Sequence, residues 1–132
     1  MTELEELLND GHHVVVDRYA FSGVAFSACK DNMSMEWCKQ PDIGLPKPDV
    51  VCFLDVSPDE AMKRNGFGKE HYEQKEFQIK ARKIYSQLMD NNWKVIHTDK
   101  KTLDQVYSEV YDIIQSLLDN HDNLKPIEKL WV

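Results

Sequence analysis

The residues best placed to do chemistry are Asp17 and Arg18, which end the valine run of "VVVDRYAFSGVAF", residues 14–26. An arginine at the end of a strand can hold a phosphate through two parallel N–H···O bonds, because its guanidinium fork matches two anionic oxygens. A carboxylate beside it can face a hydrated magnesium ion, which keeps several of its waters. The same pair can also be a surface ion pair closing a strand, and the dipeptide alone favours that simpler role. The second candidate is "RNGFGKEHY", residues 64–72, where Gly66 and Gly68 are flanked by Lys63, Arg64 and Lys69. Such a segment can close over phosphates as a lid, or be a solvated turn between helices. Phe26 can stack on a base or fill a core. Gln78 can hydrogen-bond a base edge or sit on the surface. His12 and His13 are adjacent, and neighbouring strand residues face opposite ways, so they do not make a metal-binding pair.

One nucleotide-binding device does not occur. The glycines are Gly11, Gly23, Gly44, Gly66 and Gly68, and none precedes Lys-Ser or Lys-Thr. Without G-x-x-x-x-G-K-S/T, no loop of this sequence can cradle a triphosphate in the P-loop manner.

The elements that must carry these residues follow from periodicity. "TELEELLNDG" has the apolar spacing of a helix end, with Gly11 as its stop, and is short enough to be the end of a longer helix. "HHVVV" is continuous rather than alternating, which predicts a strand buried on both faces. "YAFSGVAFSACKD" has Phe21, Val24, Ala25 and Ala28 on one helical side. "QPDIGLPKPD" is a loop by its prolines and glycine. "VVCFLDV" predicts a second buried strand. "SPDEAMKR" opens a helix, with Ser57 as N-cap, Pro58 at the first turn and Glu60 completing a capping box. "KEFQIKARKIYSQLMDNN" predicts a long helix burying Phe77, Ile79, Ile84, Leu88 and Met89. "WKVIH" is a third strand. "TLDQVYSEVYDIIQSLLDN" is a closing helix with Leu103, Val106, Val110, Ile113, Ile114 and Leu117 inward. The tail carries an apolar anchor at Leu130 and Trp131. Alternating buried strands and amphipathic helices define an α/β layered domain with parallel strands, whose ligands bind beyond the strands' carboxyl ends.

Bulk properties set the frame. The 132 residues make one domain, 42% hydrophobic, with a formal net charge of -7. That balance argues against general nucleic-acid binding and against an anionic membrane surface. No apolar run reaches the ~18–20 residues of a membrane span. Three cysteines without a C-x-x-C fit a reduced intracellular compartment, the cytoplasm foremost, with nucleus and mitochondrion as alternatives.

The motifs "VVVDRYAFSGVAFSACK", "WCKQPDIGLPKPDVVCFLDV", "GFGKEHYE" and "PIEKLW", in that order, resemble eukaryotic thymidylate kinase over almost the whole chain. The resemblance implies a P-loop kinase-like three-layer parallel sheet, here incomplete because the first two strands are missing. It makes residues 1–132 a partial thymidylate kinase domain with a lid at about 64–74. It implies ATP and Mg2+ as cofactors, dTMP as substrate and dTDP as product, and a homodimer in the intact family member. Site roles follow from it position by position. Arg18 binds the dTMP phosphate, and Asp17 sits near the magnesium water shell, touching the metal through water only. Phe26 stacks on thymine, Gln78 hydrogen-bonds it, and Ser22 lines the pocket nearby. Tyr72 closes on the sugar from the lid, and Arg64 and Lys100 flank the adenine of ATP. The family often carries Arg where this chain has His71, and a neutral imidazole offers no fixed charge near pH 7.

The resemblance also implies an N-terminal portion, holding the P-loop and a catalytic arginine, that this sequence does not contain. The strand that would lie between "HHVVV" and "VVCFLDV" belongs to it, so an empty slot is expected there, with unpaired backbone groups costing about 1–3 kcal/mol each if buried. The chain is then expected to be a fragment or alternative product that carries the receiving half of the site and lacks activity alone. The alternatives are a non-catalytic fragment that binds an intact subunit, a truncated product with no function, and another nucleoside monophosphate kinase.

Overall fold

The computed structural model describes residues 2–30, 32–65, 71–122 and 125–132, with the side chains of 65 and 71–73 outside the description. The chain divides into two compact units, Met1–Lys47 with Pro126–Val132, and Pro48–Lys125.

The first unit opens with α1, Glu3–Asn9. Thr2 caps it: its Oγ1 accepts from the Glu5 N–H at 3.3 Å, and the Glu5 carboxylate accepts from the Thr2 N–H at 2.8 Å. The helix stops at Gly11, whose φ of 84° only glycine adopts cheaply. Gly11 N–H donates to Leu8 C=O at 3.1 Å and His12 N–H to Leu7 C=O at 3.0 Å, the paired bonds of a Schellman stop.

Residues 12–16 depart from expectation. They are not a strand, and Val15 and Val16 are 94% and 48% exposed. Among the described residues no sheet pairing involves this segment. An isolated extended segment with no sheet partner satisfies its backbone with water, so its valines lack a surface to bury against.

The chain then enters α2, Ala20–Ala28, which buries Ala20, Phe21, Val24 and Ala25. A short α3, Met35–Lys39, was not foreseen. Ser34 starts it by accepting from the Trp37 N–H at 3.2 Å. A 3-10 turn at Gln40–Asp42 opens the proline-rich loop. The C-terminal tail packs on this loop: Lys47 N–H donates to Glu128 C=O at 2.8 Å, Leu130 N–H to Leu45 C=O at 2.8 Å, and Gly44 N–H to Leu130 C=O at 3.0 Å. Leu130 is buried, and the Trp131 ring meets Phe21 edge-on at 5.9 Å. The expected apolar anchor is in place.

The second unit is built on β1, Val51–Asp55, and β2, Trp93–His97, paired in parallel from Val51↔Trp93 to Asp55↔His97. The parallel sheet is present, reduced to two strands among the described residues. Between the strands lie α4, Pro58–Asn65, and α5, His71–Leu88. After β2 comes α6, Leu103–Asp119, capped by Thr102 through its bond from the Gln105 N–H at 3.2 Å. Ala61, Met62, Ala81, Leu88, Trp93 and Ile96 are buried. Phe53 packs on Tyr85 at 4.9 Å and on Trp93 at 5.8 Å.

Three details correct the sequence reading. Ser57 Oγ does accept from the Glu60 N–H, at 3.3 Å, but the return arm of the box comes from Asp99, whose Oδ1 accepts from the Ser57 N–H at 2.8 Å. Ile79 is 50% exposed, because the first turns of α5 run past the end of β1. Leu103 is 84% exposed and α6 buries no residue fully, since a two-stranded sheet is too narrow to cover its stripe.

The tail makes two predictions. Leu130→Ala is expected to cost about 2–5 kcal/mol, the range for truncating a buried leucine, read from urea unfolding midpoints. The ion pair from Lys129, followed by the Thr2 N–H bond, lowers the Glu5 pKa from 4.5 to about 2. A carboxyl depressed in the folded state contributes stability above its unfolded pKa and loses it as pH falls through the folded one. That contribution is therefore expected to fade between 4.5 and about 2. Lys129→Met should move the Glu5 midpoint, followed by carbon-13 NMR, back toward its ordinary value.

Candidate functional site

The first unit presents Asp17, Arg18, Ser22 and Phe26. Asp17 and Arg18 occupy an exposed bend just before α2. Arg18 has φ 62°, left-handed backbone that costs a non-glycine residue about 1–2 kcal/mol. The bend is held from its far side. Tyr19 Oη donates to Pro46 C=O at 3.0 Å, and the Tyr19 ring meets Phe21 at 6.2 Å. Burial, with the charges of Asp42 and Glu5, raises the Tyr19 pKa and keeps that hydroxyl a donor. The strained backbone turns the Arg18 side chain along α2, where its guanidinium carbon stands 5.4 Å from the centre of the Phe26 ring. A cation over an aromatic face within about 6 Å is attracted by the ring's quadrupole. Ser22 lies one turn before Phe26, on the same face of α2. Arg18 precedes the helix and reaches Phe26 through its long side chain rather than by helical spacing.

The second unit presents Arg64, Gln78 and Lys100. Arg64, in the last turn of α4, donates from Nη2 to Thr98 C=O at 3.4 Å and lies 3.8 Å from Glu60. Lys100, two residues after Thr98, has φ 59°. The loop between is stitched to β1: Thr98 N–H and Oγ1 both donate to Asp55 C=O, at 2.8 and 3.0 Å. Hydrogen bonds from the Ser57 hydroxyl and N–H hold the Asp99 carboxyl below its usual range, helped by the charges of Arg64 and Arg82. Arg64 and Lys100 are thus gathered at the carboxyl end of the two strands, where ligands of open α/β sheets bind. Gln78 is half-buried on α5. The side chains of His71 and Tyr72, and the lid residues 66–70, lie outside the described residues.

Sequence reasoning overlooked Asp55, Arg82 and His97. Asp55 is a buried acid whose carboxylate accepts from Arg82 Nε at 3.1 Å and Nη2 at 2.7 Å, with His97 Nδ1 3.4 Å away. An acid ending the run "VVCFLD" was the available signal, identical in kind to Asp17 ending "HHVVVD". Among the described residues, no group of three His, Cys, Asp or Glu could hold a metal ion. No described helix is long and apolar enough to cross a membrane.

Helices packed around a parallel sheet, with cations gathered at its carboxyl end, place the chain in the α/β class that includes the P-loop kinases. The family model described as thymidylate kinase matches residues 1–110, so the chain belongs to the thymidylate kinase family. It is 43% identical to human thymidylate kinase over 131 residues, covering 97% of this chain and 61% of that protein. It is 40% identical to the zebrafish (Danio rerio) thymidylate kinase, with the same 97% and 61% coverage. Among solved structures, thymidylate kinase from Candida albicans superposes with a TM-score of 0.78 at 29% identity, covering 96% of this chain and 65% of that one. The chain spans about three fifths of the length of these curated relatives.

The strained bend gives a direct test. Glycine adopts the left-handed region freely, so Arg18→Gly is expected to be at least as stable as Arg18→Ala, by up to about 1 kcal/mol in chemical denaturation. A chain in which the alanine variant is clearly the more stable does not have this backbone at Arg18.

Proposed function

We propose that the chain is the acceptor-nucleotide portion of a thymidylate kinase, an ATP-dependent phosphotransferase that converts dTMP to dTDP. The observation that carries the proposal is the Arg18 guanidinium standing 5.4 Å from the centre of the Phe26 ring, a cation and an aromatic face side by side just ahead of and on α2. Arg18 takes the dTMP phosphate through two parallel hydrogen bonds, leaving the ring of Phe26 for the base. Gln78 bonds the base edge, Ser22 lines the pocket beside it, and Tyr72 closes on the sugar. Arg64 and Lys100 flank the adenine of ATP. ATP with Mg2+, when bound, supplies the phosphoryl group and neutralises the charge on it. The residues of this chain fit only the edges of that donor site: Asp17 reaches a metal through water, and the sequence has no P-loop. This chain's own residues thus bind and orient the acceptor.

The test is calorimetric titration of the chain with dTMP. Losing a charge-assisted bond costs about 1.5–3 kcal/mol, so Arg18→Ala should weaken binding about 10- to 100-fold. Equal affinity in parent and variant would sink the proposal. The 132 residues alone are expected to form no measurable ADP from dTMP and ATP, in a coupled assay. ADP above background, lost on Arg18→Ala, would instead assign the full reaction to this chain.

A second reading, association with an intact family subunit, draws on the exposure of Val15 and Val16 in a segment with no sheet pairing among the described residues. Such a segment is a template for strand pairing. Co-elution with an intact subunit in size-exclusion chromatography is the expected sign, and separate elution removes this reading.

A further inference from the structure

The ion pair between Asp55 and Arg82 sits where β1 ends. Two contacts fix how α5 runs along that strand. Arg82 meets Asp55 through two hydrogen bonds of 3.1 and 2.7 Å, and Tyr85 meets Phe53 with ring centres 4.9 Å apart. Later residues of the helix thus meet earlier residues of the strand, and α5 is antiparallel to β1. A helix rises 1.5 Å per residue, so Gln78, four residues before Arg82, lies about 6 Å beyond the end of the strand. Residues four apart share a helix face, so Gln78 is on the same side as Arg82. It therefore projects toward the crevice beyond the strand ends.

The pair is suited to setting that position. The Asp55 side chain is only 9% exposed, and its two-pronged bond fixes both the height and the rotation of the guanidinium. Lys75, nearer the start of α5, pairs with Asp59, whose side chain is 78% exposed and so screened by water. His97, at 3.4 Å, is the group facing Asp55 from β2.

We propose that Arg82, clamped by Asp55, is a positioning residue for Gln78, and that the clamp sets discrimination at the base of the acceptor nucleotide. This rests on the reading of Gln78 as the base-contacting group. Arg82 touches no substrate in this scheme. It acts by holding the helix turn that presents the amide.

The experiment titrates the chain and its variants Arg82→Lys, Asp55→Asn, Gln78→Ala and Gln78→Ala/Arg82→Lys with dTMP, dCMP and deoxyribose 5-phosphate. Arg82→Lys keeps the charge and loses the fork, so it keeps the fold where a larger change would not. Thermal unfolding and amide NMR spectra identify the folded variants. Arg82→Lys and Asp55→Asn are expected to lower the dTMP-to-dCMP affinity ratio by about fivefold or more, within the coupling seen between residues that act together. Binding of deoxyribose 5-phosphate, which has no base, should stay within about twofold of the parent, well below that coupling. In the Gln78→Ala background, Arg82→Lys should have no further effect. If Gln78→Ala weakens dTMP binding but Arg82→Lys changes all three ligands alike, or adds independently to it, the clamp is a structural brace and this inference falls alone. If Gln78→Ala leaves dTMP affinity unchanged, or the parent chain does not bind dTMP, the role of Gln78 falls and the inference falls with it.

Discussion

Two parallel strands cannot be joined by a tight turn, so the chain leaving β1 must travel back along the sheet before β2 can begin. Everything useful in the second unit follows from that return. The crossover carries α4 and α5, and it brings both strands to their ends at the same level, with Asp55 opposite His97. A helix that returns antiparallel to the strands starts beyond their carboxyl ends. That is why the first turns of α5 stand beyond the strand ends while its later turns bury Ala81 and Leu88. Asp55 is the joint of the arrangement. Its carbonyl holds the Thr98 loop, and its carboxylate holds Arg82.

The first unit solves a different problem with similar means. A short helix, an irregular segment and a bend have little core of their own. Order comes from the last residues of the chain, which lie along the proline-rich loop and bury Leu130. The same loop receives the Tyr19 hydroxyl, so the strained backbone at Arg18 is fixed by a neighbour that the tail has already fixed. Among the described residues four non-glycine positions have positive φ, and two of them, Arg18 and Lys100, are residues to which family resemblance assigns phosphate or nucleotide contacts. The other two, Asn32 and Trp131, show that the conformation alone is not a mark of function.

Much of this was legible in the sequence. The helix starts at Thr102 and Ser57, the strands β1 and β2, the inward face of α2 and the tail anchor all follow from local rules that the tertiary structure respects. Segment 12–16 was not legible, for a definite reason. Its pattern specifies a strand with two covered faces, but a strand exists only with a partner, and the described residues supply none. The same shortage of partners leaves Leu103 exposed on a helix whose stripe is otherwise well formed. Asp55 and Arg82 were missed because a pairing across 27 positions has no local signature. Only the acid at a strand end hinted at it, and the same hint was followed at Asp17.

The two misses have opposite meanings for the site. The exposed valines belong to a segment without a sheet partner among the described residues, whereas the buried Asp55 concerns how firmly α5 is held to β1. An amide that must distinguish one base edge from another gains nothing from freedom, because a loosely held group bonds the wrong edge nearly as well as the right one. A sheltered, two-pronged ion pair one turn away from Gln78 is the kind of joint that holds an amide still.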